Sequence, residues 1–180
     1  FTGIIVIYVI YFIWEVKAMK ELKVDFEMIG MAMEDVSRDY MEYYFDTETG
    51  QVITLSEEAA RYAEGDEDII REDLPDWQKA EIEVAKNIRD NNTERYINIP
   101  EKPTYESYNM MVDFAEKVED ELLREKLNIA LDGKGAFRRF KRVIGDYPDY
   151  EKKWFTFKEI RMKEEVTEWL NTIGIKPFNI

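Results

Sequence analysis

The chain has 180 residues, a formal net charge of −14 and a sequence pI of about 4.6. It contains neither Cys nor His, which excludes disulfides, thiolate catalysis, Cys-ligated metals and Ser-His-Asp chemistry. Hydrophobic residues make up 45%, so a packed core can form, while the acidic balance argues against general affinity for nucleic acid or an anionic membrane.

The first 18 residues are mostly apolar, but they match neither a transmembrane helix nor a signal peptide well. The run that ends at Trp14 is shorter than the roughly 20 residues of a spanning helix, and it lacks the flanks of a signal peptide. Residues 14–17 can be encoded by a strong ribosome-binding sequence ahead of Met19. We therefore expect residues 1–18 to be upstream DNA read as protein, with a truncated transmembrane helix as the alternative. Residues 19–180 are expected to form a single domain without a membrane segment.

A helix and a hairpin are predicted next. Apolar residues recur at helical spacing from Phe26, with Asp25 as a plausible N-cap. Residues 40–45 and 52–55 change to strand-like patterns, and the "DTETG" between them ends in a glycine that suits a bulged turn. Ser56 is the predicted N-cap of another helix.

Helices dominate the second half of the chain. "RYINIP" is a short strand closed by Pro100, and Thr104 is a candidate cap of the following helix. A long last helix is predicted from "GDYP" to about Leu170. The predicted fold class is α+β: a small antiparallel sheet (one hairpin plus a short third strand) with a predominantly helical C-terminal half.

Large aromatic side chains are expected in the core. Trp77 follows Pro75 at a helix start, where it can anchor the core, whereas an exposed Trp would indicate a partner surface. The hairpin aromatics are assigned to the core on the same grounds: Tyr40, Tyr43, Tyr44 and Phe45.

Four motifs carry a family resemblance. They are "YFDTETGQVI", "EDLPDW" at residues 72–77, "RYINIP" at 95–100 and "GKGAFRRFK" at 133–141. With these motifs the chain, from Met19 to about Trp169, resembles an uncharacterised bacterial protein family, number 0158 of the UPF series. The resemblance implies a start near Met19 and supports the fold. It implies no activity, because the family has no assigned function.

The segment "DGKGAFRRFKR" at 132–142 concentrates positive charge in this acidic chain. A helix over 136–144 would place Phe137, Phe140 and Ile144 on a core face and the cations elsewhere. Two glycines and a helix start are typical of sites that bind phosphate or carboxylate. The candidate anion or partner site comprises Gly133, Lys134, Gly135, Arg138, Arg139, Lys141 and Arg142. The alternative is structural: the arginines pair with the acids of "EKVEDELLRE" or stack on Trp154 or Phe155.

An acidic run at residues 66–73 is a weak candidate for a divalent metal. Its best ligands would be Asp66, Asp68 and Asp73. The EF-hand pattern fails there, so a solvated loop is the preferred interpretation and no cofactor is predicted.

These observations favour a non-enzymatic cytoplasmic binding or regulatory protein whose basic segment contacts an anionic partner, either nucleic acid or an acidic protein surface. One alternative is a divalent-metal, carboxylate-dependent enzyme that acts on a phosphate-containing ligand. Another is a protein-binding module that uses its acidic surface. The sequence does not identify the partner or the oligomeric state.

Overall fold

The computed structural model describes residues 19–35, 38–65, 74–90 and 94–178. These ranges contain seven helices: α1 (Phe26–Glu34), α2 (Glu57–Ala63), α3 (Asp76–Asp90), α4 (Thr104–Glu116), α5 (Glu121–Leu131), α6 (Ala136–Gly145) and α7 (Pro148–Thr172). They also contain five strands: β1 (Lys20–Lys23), β2 (Met41–Asp46), β3 (Val52–Ser56), β4 (Tyr96–Asn98) and β5 (Ile175–Phe178). The predicted α+β class is confirmed.

Side-chain caps explain several helix starts. The carboxylate of Asp25 accepts a hydrogen bond from the Met28 N–H at 3.0 Å, and the Ser56 hydroxyl accepts one from the Ala59 N–H at 3.2 Å. Both caps were predicted. Thr104 was predicted as a cap too, but it is the first helical residue, and Pro103 occupies the cap position without a side-chain bond. Pro103 has a ψ of 136°, outside the helical range, and the helix begins after it without a polar cap.

The antiparallel sheet has the order β3-β2-β4, as the hairpin and the third strand predicted. Phe45 in β2 is paired with Val52 of β3 and with Ile97 of β4. Gly50 closes the hairpin, and its N–H donates to the Asp46 carbonyl at 2.8 Å. Its φ is +75°, and a Cβ there would lie 2.2 Å from the carbonyl oxygen of Lys23. Glycine is therefore required both by the turn and by the close approach of the neighbouring backbone.

A second sheet, which was not predicted, joins β1 to β5 in parallel. Lys20 is paired with Ile175 and Lys23 with Phe178. These segments are short and carry Lys and Pro, so their apolar pattern alone does not distinguish them from loops.

The chain divides into two compact units, Phe1–Ile99 with Val166–Ile180, and Pro100–Glu165. The first unit has a buried cluster of Leu55, Ala59, Tyr62, Ala63, Ile82, Ala85 and Ile88. The core of the second is formed by α4, α5, α6 and the part of α7 up to residue 165, with the rings of Phe140 and Trp154 4.9 Å apart. Whether residues 19–180 act as a single domain stays a prediction.

Two aromatic residues assigned to the core are exposed instead. The exposed fraction is 68% for Trp77 and 69% for Tyr40. Trp77 lies in the first turn of α3, about 80° around the helix axis from the centre of the buried face. Tyr40 precedes β2 and is not yet part of the sheet. The assignment was right for Phe45, which is fully buried, and half right for Tyr43 and Tyr44, which are partly buried.

Candidate anion-binding helix

Helix α6 has an apolar face and a basic face on opposite sides. Ala136, Phe140 and Ile144 are buried against the second unit's core. At 100° per residue, three cationic residues fall within an arc of about 100° on the other side of the helix. They are Arg138, Lys141 and Arg142, and all three are exposed. The predicted separation of apolar and basic faces is therefore present.

The loop before α6 depends on its two glycines. Gly133 has a φ of +71°, and Gly135, the N-cap residue of α6, has a φ of +80°. Both values lie in the left-handed region that favours glycine. Lys134 stands exposed between them, and α6 begins without a side-chain cap. The glycines thus place Lys134 directly ahead of the three exposed cations of α6.

Arg139 has a structural role that separates it from its neighbours. Its Nε donates to the Ala130 carbonyl at 3.0 Å and its Nη2 to the Gly133 carbonyl at 3.2 Å. The guanidinium also contacts the carbonyls of Asp132 and Lys134. These oxygens end α5 and form the following loop, where a helix leaves its carbonyls without partners. A cation there satisfies them and complements the helix dipole.

A second side chain completes this arrangement. The Tyr108 hydroxyl of α4 donates to the Leu131 carbonyl at 3.1 Å. Five consecutive carbonyls, from residue 130 to residue 134, are therefore bound by Arg139 or Tyr108. This rigid support fixes the loop that carries Lys134 and the direction in which α6 leaves it.

Four cations remain available to a partner: Lys134, Arg138, Lys141 and Arg142, hereafter the basic face. In the described part of the chain, none of them has a carboxylate within ion-pair distance. The arginines were alternatively expected to pair with the acids of "EKVEDELLRE". Arg139 instead binds backbone carbonyls, and the basic face faces solvent.

Phe137 was expected in the core, but 38% of it is exposed. It lies at the edge of the buried face, about 60° from the centre of that face and one helical turn before Lys141. A partner that carries both anionic and planar groups can contact the cations and stack on the accessible ring at the same time.

The second unit is much less acidic than the whole chain. Pro100–Glu165 contains 15 acidic and 14 basic residues, whereas the whole chain has 39 and 25. The basic face is therefore carried by a nearly neutral unit, and the excess of acids belongs to the other one. Because salt screens charges beyond about 10 Å, the local balance governs contact with a ligand more than the net charge does.

The acidic run at 66–73, with Asp66, Asp68 and Asp73, lies outside the described residues, so its metal-binding interpretation stays a prediction. Within the described ranges, no three carboxylates are grouped so that they could hold a metal ion. No helix in those ranges is long and apolar enough to cross a bilayer.

The sequence did not reveal a polar cavity in the second unit, between α4 and α7. Its polar lining residues are Glu106, Asn109, Asp113, Arg161 and Glu165. They recur at i, i+3 and i+7 on α4 and at i and i+4 on α7. This spacing is a detectable signal, but charged stripes of this kind usually mark a solvated helix face.

These features define an α+β protein with an exposed basic helix. The chain belongs to an uncharacterised protein family, UPF0158, whose profile matches residues 20–179, which confirms the resemblance seen in the motifs. It is similar to a Pseudomonas aeruginosa protein named UPF0158 protein PA5073, with 25% identity over 159 residues that cover 88% of each chain. No solved structure matches it.

Proposed function

We propose that this chain is a binding or regulatory protein that engages an anionic macromolecule through its basic face. The observation that carries the proposal concerns four cations, Lys134 just before α6 and three on one side of that helix. All four are exposed and have no carboxylate partner in the described part of the chain. Side chains of this kind are free to neutralise phosphates or carboxylates of a partner. The proposal keeps the cytoplasmic location expected from the sequence.

The mechanism is electrostatic positioning rather than chemistry. Arg139 and Tyr108 hold the loop ahead of α6, so the backbone that carries the cations is already ordered before a partner binds. Phe137 adds an aromatic surface at the edge of that frame. A row of cations on an ordered backbone can bind either a nucleic-acid backbone or an acidic protein segment.

The test is a salt titration with two labelled probes, a single-stranded oligonucleotide and an acidic peptide. One variant replaces the basic face: Lys134→Gln, Arg138→Gln, Lys141→Gln and Arg142→Gln. A matched control removes four exposed cations elsewhere: Lys23→Gln, Lys79→Gln, Lys117→Gln and Lys152→Gln. Both variants lose four positive charges, so only the position of the charge differs.

For four contacts to a single strand, the affinity should fall about 50-fold between about 50 and 200 mM salt. The basic-face variant should lose most of the binding at low salt, and the control should retain most of it. The probe that binds identifies the partner class. If neither probe binds at low salt, or if both variants lose binding equally, the proposal is wrong.

A further inference from the structure

The cavity between α4 and α7 has a volume of about 360 Å³, which lies within the range of small-molecule sites. Its polar side chains are accompanied by two apolar ones, Met110 and Val112. Met110 is buried, so the cavity combines an apolar wall with a charged lining. All of these residues belong to the second unit, and none of them is part of the basic face.

The charges at the cavity are ordered along its length. Arg161 approaches Asp113 at 3.4 Å, while Glu165, one turn further along α7, pairs with Lys102 at 2.6 Å. The Lys102 side chain is only 3% exposed, so this pair is fixed. Glu106 is the first of the α4 residues that line the cavity, and it lies about 10 Å along the helix from Asp113. One end of the cavity therefore carries the guanidinium, and Glu106 lies toward the other.

Arg161 is loosely held. Its distances to Asp113 and to Glu164, 3.4 and 3.6 Å, exceed those of a strong charge-assisted hydrogen bond. Its Nε is buried and has no hydrogen-bond partner among the described residues. A guanidinium normally uses its planar donors to bind a carboxylate in two places. The two Nη groups of Arg161, which make only these long contacts with described residues, are thus the donors available to an incoming anionic group.

The carboxylates exceed the cations by two. Glu106, Asp113 and Glu165 line the cavity with Arg161, and the ion pairs of these residues add Lys102 and Glu164. A ligand that fits has a carboxylate for Arg161, a cationic group for Glu106, and a net positive charge. An apolar connecting chain would lie along Met110. Free amino acids with a cationic side chain have all of these properties.

We infer that this cavity binds a free basic amino acid, with its carboxylate on Arg161 and its side-chain cation toward Glu106. Asn109 lies between these two positions on α4 and can hydrogen-bond the α-ammonium group. This is a small-molecule site in addition to the proposed macromolecular one, and neither depends on the other.

The test is calorimetric titration of the full chain with lysine, ornithine and arginine. Two analogues of lysine each lack one charge: lysinamide has no carboxylate, and Nε-acetyl-lysine has no side-chain cation. The basic amino acids should bind, and each analogue should bind about tenfold or more weakly, because each loses a charge-assisted contact. This comparison needs no variant and is unaffected by folding defects.

Variants locate the site. Arg161→Gln and Glu106→Gln should each weaken lysine binding about tenfold or more. The control Glu159→Gln removes an exposed acid of α7 that pairs with Lys163 outside the cavity, and it should bind lysine normally. The inference is overturned if no basic amino acid binds at about 10 mM, a level at which even a weak site is occupied. It is also overturned if lysinamide binds as well as lysine, or if Glu159→Gln weakens binding as much as Arg161→Gln does.

Discussion

Arg138 and Arg139 are adjacent in the chain but differ completely in their surroundings. Arg138 is exposed on the basic face, while Arg139 binds the carbonyls at the end of α5. The difference comes from the helix, since a step of 100° turns one side chain to solvent and the next toward α5. The sequence predicts both residues in one candidate site, because composition alone cannot separate them.

Replacing these two arginines should change the stability of the protein by very different amounts. Arg139→Ala should lower the free energy of unfolding by about 1.5–3 kcal/mol, since it removes charge-assisted hydrogen bonds to backbone carbonyls. Arg138→Ala should change it by no more than about 0.5 kcal/mol, as is usual at exposed positions. Denaturant unfolding of both variants measures this. Equal losses in the two variants would contradict the assignment of a structural role to Arg139 alone.

Asp46 shows a comparable structural role in the first unit. It is 4% exposed, and its carboxylate accepts hydrogen bonds from Arg95 at 2.9 and 3.2 Å and from the Glu48 N–H at 2.8 Å. Burial alone would raise the pKa of Asp46, but the hydrogen bonds from Arg95, Glu48 and Thr49 outweigh it and hold that pKa below its ordinary value. The sequence "DTETG" indicates the Asx-type turn, but it does not indicate that Arg95, 49 residues away, binds Asp46.

This depressed pKa predicts the direction of a pH effect. A carboxylate whose pKa is lower in the folded state stabilises the fold above its unfolded pKa, and this contribution is lost as pH falls through the folded value. Asp46→Asn should therefore be less stable than the parent at neutral pH, by about 1–3 kcal/mol. The difference should shrink below about pH 4. Thermal melts at several pH values test this, and a difference that is the same at pH 7 and pH 3 would contradict it.

At the scale of single elements, the turn at Gly50 makes the sharpest prediction. Gly50→Ala would need a left-handed backbone and would place a methyl group against the Lys23 carbonyl. The free energy of unfolding should fall by about 2–4 kcal/mol. Gly65→Ala is the matched control: it also has a positive φ, 89°, but its Cβ would meet nothing within 4 Å. It should lose only about 1–2 kcal/mol, the cost of the left-handed conformation alone. Chemical denaturation compares the two.

The elements that could be predicted are those whose pattern is local. The spacing of Phe140 and Ile144 gave the buried face of α6, and "DTETG" gave the turn between β2 and β3. Phe137 and Trp77 were assigned wrongly because both lie in the first turn of a helix, at the edge of the face that the period defines. The helical period of the sequence predicts the direction in which the buried face of a helix points. The width of that face depends on the neighbouring elements.

Partners distant in sequence could not be predicted. Arg139 reaches the carbonyls at the end of α5 only because the loop between α5 and α6 changes the direction of the chain. The cavity lined by Arg161 forms only when α4 and α7 pack side by side. The pairing of β1 with β5 is similar, since nothing near Lys20 indicates a partner around residue 175. Such contacts depend on the path of the chain, which a single sequence specifies only weakly.

At the scale of the whole chain, the prediction concerns whether the two units unfold together. If residues 19–180 form one domain, a destabilising substitution in the core of one unit should also destabilise the other. Ile144→Val in the second unit should lower the free energy of unfolding by about 0.5–1.5 kcal/mol. Amide exchange should then accelerate both in α6 and in the slowest-exchanging amides of β2, since both would open in the same global event. Unchanged exchange in β2 would show that the units unfold separately.

The parallel pairing of β1 and β5 brings residue 178 close to residue 20, so the order in which the elements are connected can be changed. Phe178 is paired with Lys23, so it lies about 10 Å along the strand direction from Lys20. A linker of about five residues can span that distance. A circularly permuted chain could therefore join residue 178 to residue 20 and open at the exposed turn of Glu119 and Asp120. Its strands and helices would keep their places, although its first residue would lie in what is now the middle of the sequence.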